Sequence, residues 1–136
     1  MRKYLVLFVA VLLQACTTLN GANTLTTDEI NRQEIAMRRL GAAVQGLLWS
    51  GAAQDADLIA MACASDASLC SPFGNNKPAI RVVDGNAVLL LCTPDHKRAL
   101  VEDIACTPTP DFKAWASGNA PCEFTLGDQA IRDACQ

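Results

Sequence analysis

Seven cysteines, a single histidine and a few clustered carboxylates are the side chains in this sequence equipped for chemistry. Six of the cysteines, Cys63, Cys70, Cys92, Cys106, Cys122 and Cys135, are spread through the body of the chain, and none stands in the C-x-x-C spacing of a zinc site. An even set at such spacings points to disulfides, provided the thiols reach an oxidising compartment. His96 sits between Asp95 and Lys97-Arg98, and no serine occupies a G-x-S-x-G elbow that would recruit it as a base. Asp95, Glu102 and Asp103 form the densest acidic group. Paired acid and base work would need two of them to converge, whereas neighbours on a helix point in different directions, so they read as surface charge. The glycines are isolated, so no phosphate-cradling loop is present. No catalytic residue and no metal ligand is assigned.

The seventh cysteine stands apart. Arg2 and Lys3 precede an apolar run from Leu5 to Leu13, too short to span a bilayer, and the run ends in Leu13-Gln14-Ala15-Cys16. This segment resembles the lipobox of bacterial lipoprotein precursors, a resemblance confined to the first residues of the chain. It implies that the Cys16 thiol carries diacylglycerol, that cleavage falls between Ala15 and Cys16, and that the new α-amino group is acylated. The alternative, an ordinary secretory signal cut after Ala15, leaves a free thiol and gives no reason for the cysteine's position. Two or three acyl chains on one residue give lasting attachment, since each buried methylene contributes about 0.8 kcal/mol. Thr17 and Thr18 follow the cysteine, where an aspartate would imply inner-membrane retention. The resemblance therefore implies an outer-membrane lipoprotein facing the periplasm, with no cofactor beyond the lipid on Cys16.

Removal of residues 1–15 takes the basic count from 11 to 9 against 14 acidic residues, a net charge of −5. That balance, with scattered Lys and Arg, excludes a nucleic-acid footprint. Aromatics make up 5% of the chain and much of the apolar fraction is alanine, so the core is thin and disulfides matter to it.

The elements follow from periodicity and punctuation. Residues 16–27 are the lipidated cysteine and a flexible tether rich in Thr, Asn and Gly, with a root-mean-square reach of roughly 20 Å. Thr26 and Glu29 have capping-box spacing, and Ile30, Met37, Leu40, Val44, Leu47 and Leu48 recur at helical intervals, predicting a helix over 27–49. A second helix is predicted over 54–64, stopping near Ser65 so that Cys63 can reach Cys70. Residues 71–78 are a surface loop whose Phe73 is either a recognition residue at the tip or, the commoner case, an aromatic folded back on the core. Asp84-Gly85-Asn86 marks the turn of a hairpin over 79–92, although the short run Leu89-Leu90-Leu91 also suits a helix. Thr93-Pro94-Asp95 has the form of a helix start and predicts a helix to about Cys106; Thr109-Pro110-Asp111 repeats it, predicting a short helix that carries Phe112 and Trp115 and stops at Gly118. A last helix follows Thr125 and Asp128. The expected pairing is Cys63 with Cys70, Cys106 with Cys122 and, by elimination, Cys92 with Cys135.

Residues 28–136 are thus expected to form one disulfide-stapled α+β domain, mainly α-helical, with about four to five helices and one β-hairpin. The leading functional expectation is a non-catalytic interaction module, held at the membrane by its lipid and docking on another envelope protein as an assembly accessory, exclusion factor or inhibitor. The alternative is a cell-envelope hydrolase using paired carboxylates. Acids converging in one pocket would favour the hydrolase, and an exposed apolar groove the module.

Overall fold

A computed structural model describes residues 26–107, 112–115 and 120–136. Ala15, Cys16 and the tether up to residue 25 lie outside the described residues, as do Thr109, Pro110, Asp111 and Gly118.

Helix α1 (Thr27–Trp49) forms where the periodicity places it. Its capping box is complete: the Glu29 N–H donates to Thr26 Oγ1 at 3.3 Å, and the Thr26 N–H donates to Glu29 Oε2 at 2.8 Å. Ile30, Met37, Leu40 and Val44 are buried as one stripe. Helix α2 (Leu58–Ser65) is shorter than expected because Asp57, not Gln54, starts it, its carboxylate accepting from the Ala60 N–H at 3.0 Å. Two single-turn 3₁₀ helices (Ala67–Leu69 and Ser71–Phe73) come next, and Phe73, 3% exposed, inserts into the core.

The rest of the chain departs from the helical expectation. Instead of one hairpin there is a four-stranded antiparallel meander, β1 (Lys77–Val83), β2 (Asn86–Cys92), β3 (Ala99–Ile104) and β4 (Phe112–Ala114), in the spatial order β1-β2-β3-β4. The β1–β2 hairpin is the expected one, with Asp84 and Gly85 at positive φ in its turn. Thr93-Pro94-Asp95 starts no helix. The Thr93 hydroxyl donates to the Asp95 carboxylate, the Lys97 N–H donates to the same carboxylate oxygen at 3.1 Å, and the Arg98 N–H donates to Thr93 Oγ1 at 3.2 Å. With His96 at φ 58°, these bonds close residues 93–98 into a tight loop between β2 and β3. Short polar side chains that cap a helix cap a turn by the same hydrogen bonds, and the unpaired edge of β2 takes the residues after the loop as a strand. Residues 112–114 pair with β3, so the expected helix around Phe112 is replaced by a strand there.

β2 is the centre of the molecule and is covered on both faces. Ala87, Leu89 and Leu91 pack under α1 and α2, while Val88, Leu90 and Cys92 pack under the C-terminal layer, which comprises Trp115, Phe124, Leu126 and helix α3 (Asp128–Ala134). An unbroken apolar run such as Leu89-Leu90-Leu91 suits a strand buried on two sides, each side chain contributing roughly 1.5–3 kcal/mol. A bulge opposite Leu91 and Cys92 inserts Leu100 as an extra residue in β3, so Leu100 and Val101 both join the α1-side core.

Three disulfides staple these layers: Cys63–Cys70, Cys92–Cys122 and Cys106–Cys135, each with Cα atoms 5.7 Å apart. The first is the expected one; the other two exchange partners relative to the expectation. Cys92 and Cys106 do stand apart, at opposite ends of the β2–β3 hairpin rather than of a helix, and each is met there by the C-terminal layer. The Ala99 N–H donates to the Ala120 carbonyl at 3.0 Å, which delivers Cys122 to Cys92, and α3 delivers Cys135 to Cys106.

Candidate functional site

The carboxylates expected as the densest acidic group are separated by the strand that carries two of them. Successive residues of a strand face opposite sides. Glu102, fully buried, turns into the C-terminal layer, where it accepts from the Thr125 N–H at 3.0 Å, the Thr125 hydroxyl at 2.7 Å and the Leu126 N–H at 3.2 Å. Asp103, 4% exposed, faces α1 at Gly41. The surface-charge reading of these two acids is therefore corrected: both are interior groups. Asp95 lies in the 93–98 loop, where the Thr93 hydroxyl, the Lys97 N–H and the charges of Lys97 and Arg98 hold its carboxyl below the usual aspartate range. No two of the three converge on a common hollow. His96 is exposed at the tip of the same loop, and all six body cysteines are in disulfides, so neither supplies a nucleophile with a base beside it.

Glu102 ties the C-terminal layer to the sheet. Its three donors come from a segment with no regular structure, and two neighbours grip the same stretch. An Arg81 terminal nitrogen donates to the Leu126 carbonyl and its guanidinium lies 5.2 Å from the Phe124 ring centroid; Lys113 Nζ is 3.4 Å from Thr125 Oγ1. The C-terminal layer is thus held to the sheet by polar contacts around a buried carboxylate as well as by two disulfides. Trp115 packs into this layer, with Lys113 Nζ 5.9 Å from its ring centroid.

The surface feature that stands out is at the far end of α1. Trp49 is 73% exposed and borders a hollow of about 270 Å³ lined by Ala42, Gln45, Trp49, Ala105, Cys106 and Thr107. Its floor is rigid. Gln45, 1% exposed, donates from Nε2 to the Gly85 carbonyl and accepts at Oε1 from the Ala87 N–H, both at 2.9 Å, so α1 is bolted to the β1–β2 turn one helical turn before the tryptophan. Gly41 permits this approach: a Cβ there would stand 3.1 Å from Ala105 Cβ. The opposite wall, residues 105–107, is fixed by the Cys106–Cys135 bridge.

Set against known proteins, the chain matches no family model, no curated protein and no solved structure. The site therefore stands on its own geometry. Sequence reasoning passed over Trp49. The signal was available: Ile35, Ala42 and Trp49 recur every seven residues, off the stripe formed by Ile30, Met37, Leu40 and Val44, and all three are exposed. Among the described residues, no helix is long and apolar enough to cross a membrane.

Proposed function

We propose that this chain is a lipid-anchored domain of a bacterial envelope that acts by contact with another envelope protein rather than by catalysis, and that the Trp49 hollow is its contact surface. One observation carries the reading. A large aromatic side chain is left 73% exposed beside a shallow, mostly apolar hollow whose walls are pinned by a buried glutamine and a disulfide. Rigid aromatic anchors of this kind concentrate binding energy at protein interfaces, because little conformational freedom is lost on docking. The position suits a tethered domain. The tether joins α1 at Thr26, and 23 helical residues place Trp49 about 34 Å along the axis from that point. The anchor end and the contact end are at opposite poles.

The test is site-specific photo-cross-linking in intact cells. A benzophenone amino acid replaces Ala42 on the rim of the hollow, with a matched probe at Glu123 on the C-terminal layer. The reading expects a defined adduct with an envelope protein from position 42, absent from position 123 and lost in Trp49→Ala while the domain remains oxidised and folded. Equal adducts from both positions, or an adduct indifferent to Trp49→Ala, would remove the hollow from the function. The lipid anchor is tested separately: the mass of the mature wild-type chain should exceed that of residues 16–136 by the diacylglyceryl and acyl groups on Cys16.

A further inference from the structure

We infer that the free edge of β1 is a docking site for an extended segment of another polypeptide, which adds to the sheet as a further antiparallel strand and sets an acidic side chain opposite Arg81. This surface is separate from the Trp49 hollow, whose lining contains no residue of β1.

The hairpin geometry fixes which backbone groups of β1 are free. Asp84 and Gly85 form a two-residue turn at positive φ, so Val83 and Asn86 are a hydrogen-bonded pair and the pairs alternate from there. Val82 opposite Ala87, Ile80 opposite Leu89 and Pro78 opposite Leu91 are then non-hydrogen-bonded pairs, whose β1 members turn their backbone polar groups outward. Ala87 agrees from the other strand: its N–H goes to Gln45 and its carbonyl accepts from the Ala105 N–H, so neither is used by β1. β1 stands at the end of the strand order, and among the described residues no hydrogen bond from outside the hairpin reaches the backbone of Ile80 or Val82. Solvent access follows the same pattern. Every residue of β1 is exposed or half-buried, whereas β3, whose outer side is taken by β4, is buried throughout. An open edge of this kind is a template for strand addition. Pro78 offers a carbonyl but no N–H, so with Lys77 it guards the start of the edge and leaves Ile80 and Val82 available.

Side chains define the occupant. Ile80 and Val82 belong to the core under α1 and α2, so apolar residues suit the positions that face them across the new pair. Arg81 points to the other face, where a terminal nitrogen donates to the Leu126 carbonyl. Its buried Nε has no hydrogen-bond partner, and among the described residues it forms no ion pair, Asp84 at the end of β1 being bridged to Arg132 instead. Charge on this face is mixed, since Lys77, Arg81 and Arg132 stand with Asp84, Asp128 and Asp133, and Glu102 lies within the layer. The preference is therefore local and owes nothing to net charge. Arg81 turns its backbone toward β2, so its counterpart on the added strand is of the closely spaced kind, with Cα atoms about 4.5 Å apart. A carboxylate at that position meets the guanidinium directly. A second copy of this chain fits worse. Using both groups of Ile80 and of Val82 requires pairing about Arg81, which sets two arginines opposite each other.

The experiment is amide hydrogen exchange by NMR on the mature chain with Cys16→Ser, oxidised, the probe being a capped threonine peptide with Val-Glu-Val at its centre. In the free protein the Arg81 and Val83 N–H groups should exchange slowly and those of Ile80 and Val82 fast, and the peptide should slow the latter two in a saturable way. Glutamine in place of the peptide's glutamate should weaken binding about two- to fivefold, and lysine should weaken it further. Val82→Pro removes one outward donor from the backbone and should weaken binding about three- to tenfold while the Arg81 N–H stays protected. Ile80 and Val82 already protected in the free monomer, no slowing at millimolar peptide, or binding no weaker for the lysine peptide overturns the inference. Protection that rises with protein concentration alone, with a doubling of mass in sedimentation, would assign the edge to a second copy and overturn it equally. If Val82→Pro fails to fold, the alternating exchange and the peptide series decide the question without it. These outcomes are independent of the Trp49 hollow, which cross-linking from position 42 reads by itself.

Discussion

Removing the Glu102 side chain should be the most damaging single polar substitution in the domain. Glu102 is fully buried and accepts three hydrogen bonds from Thr125 and Leu126. In Glu102→Ala the two backbone N–H groups and one hydroxyl lose their acceptor while Phe124, Leu126 and the sheet still cover them. A buried donor left unsatisfied costs about 1–3 kcal/mol. Thr125 lies partly in solvent, so water can recover its hydroxyl, and the net cost should be about 3–5 kcal/mol, including the cavity. Glu102→Gln keeps one carbonyl oxygen for the Thr125 and Leu126 N–H groups, so it should cost about 1–2 kcal/mol. Urea unfolding of the oxidised proteins reads both values at a single pH. Limited proteolysis reads the location, since cleavage should rise first in residues 120–127 rather than in α1. A Glu102→Ala variant within about 1 kcal/mol of wild type, or one no worse than Glu102→Gln, would refute the view that this carboxylate holds the C-terminal layer.

Other substitutions probe separate layers. Gly46 has nothing within 4 Å of an added Cβ, so Gly46→Ala should stabilise by about 1 kcal/mol in thermal unfolding, whereas Gly41→Ala, which meets Ala105, should lose that gain or destabilise. The Thr26 N–H and hydroxyl hold the Glu29 carboxyl below its ordinary value of 4.5; its contribution is therefore present above that pH and fades as pH falls through the lowered folded-state value. Circular dichroism below about pH 4.5 should show a loss of stability in wild type that Glu29→Gln lacks. Peptide mapping without reduction should recover Cys92 with Cys122 and Cys106 with Cys135. By loop length, replacing either pair with serines should cost about 3–4 kcal/mol and replacing Cys63 and Cys70 about 2 kcal/mol.

The parts of the fold that could be read from sequence are those whose signals are local and unambiguous. In α1 the capping pair Thr26 and Glu29 and the stripe from Ile30 to Val44 agree, and Asp84-Gly85 supplies the left-handed turn of the first hairpin. The stretch from Thr93 to Ile104 misled for a definite reason. Its Thr-Pro-Asp start has the chemistry of a cap, and the run Ala-Leu-Val-Glu-Asp-Ile does not alternate apolar and polar because every residue of β3 is buried, the two acids included. A strand covered on both faces shows no period of two, and the donors that satisfy Glu102 lie 23 and 24 residues away. The disulfide error descended from this one: a helix in place of the β2–β3 hairpin removes the edge along which residues 120–122 run, and with it the route from Cys122 to Cys92. The surface-charge expectation for Glu102 and Asp103 fails for the same reason. At the Trp49 hollow, the spacing of Ile35, Ala42 and Trp49 was visible, but its partner wall at residues 105–107 depends on strand pairing that local patterns do not carry.

Gln45 also acts as an index mark. Its amide engages one carbonyl and one N–H of the first hairpin, so sliding α1 by a single turn, about 5.4 Å, would break both bonds and strand two polar atoms in the interior. The helix has one permitted register on the sheet, and the tryptophan four residues later inherits that coordinate. Under the proposed reading of the Trp49 hollow as a contact surface, a partner would meet a preset shape, and variants that loosen Gln45 should then weaken binding even though they leave Trp49 in place.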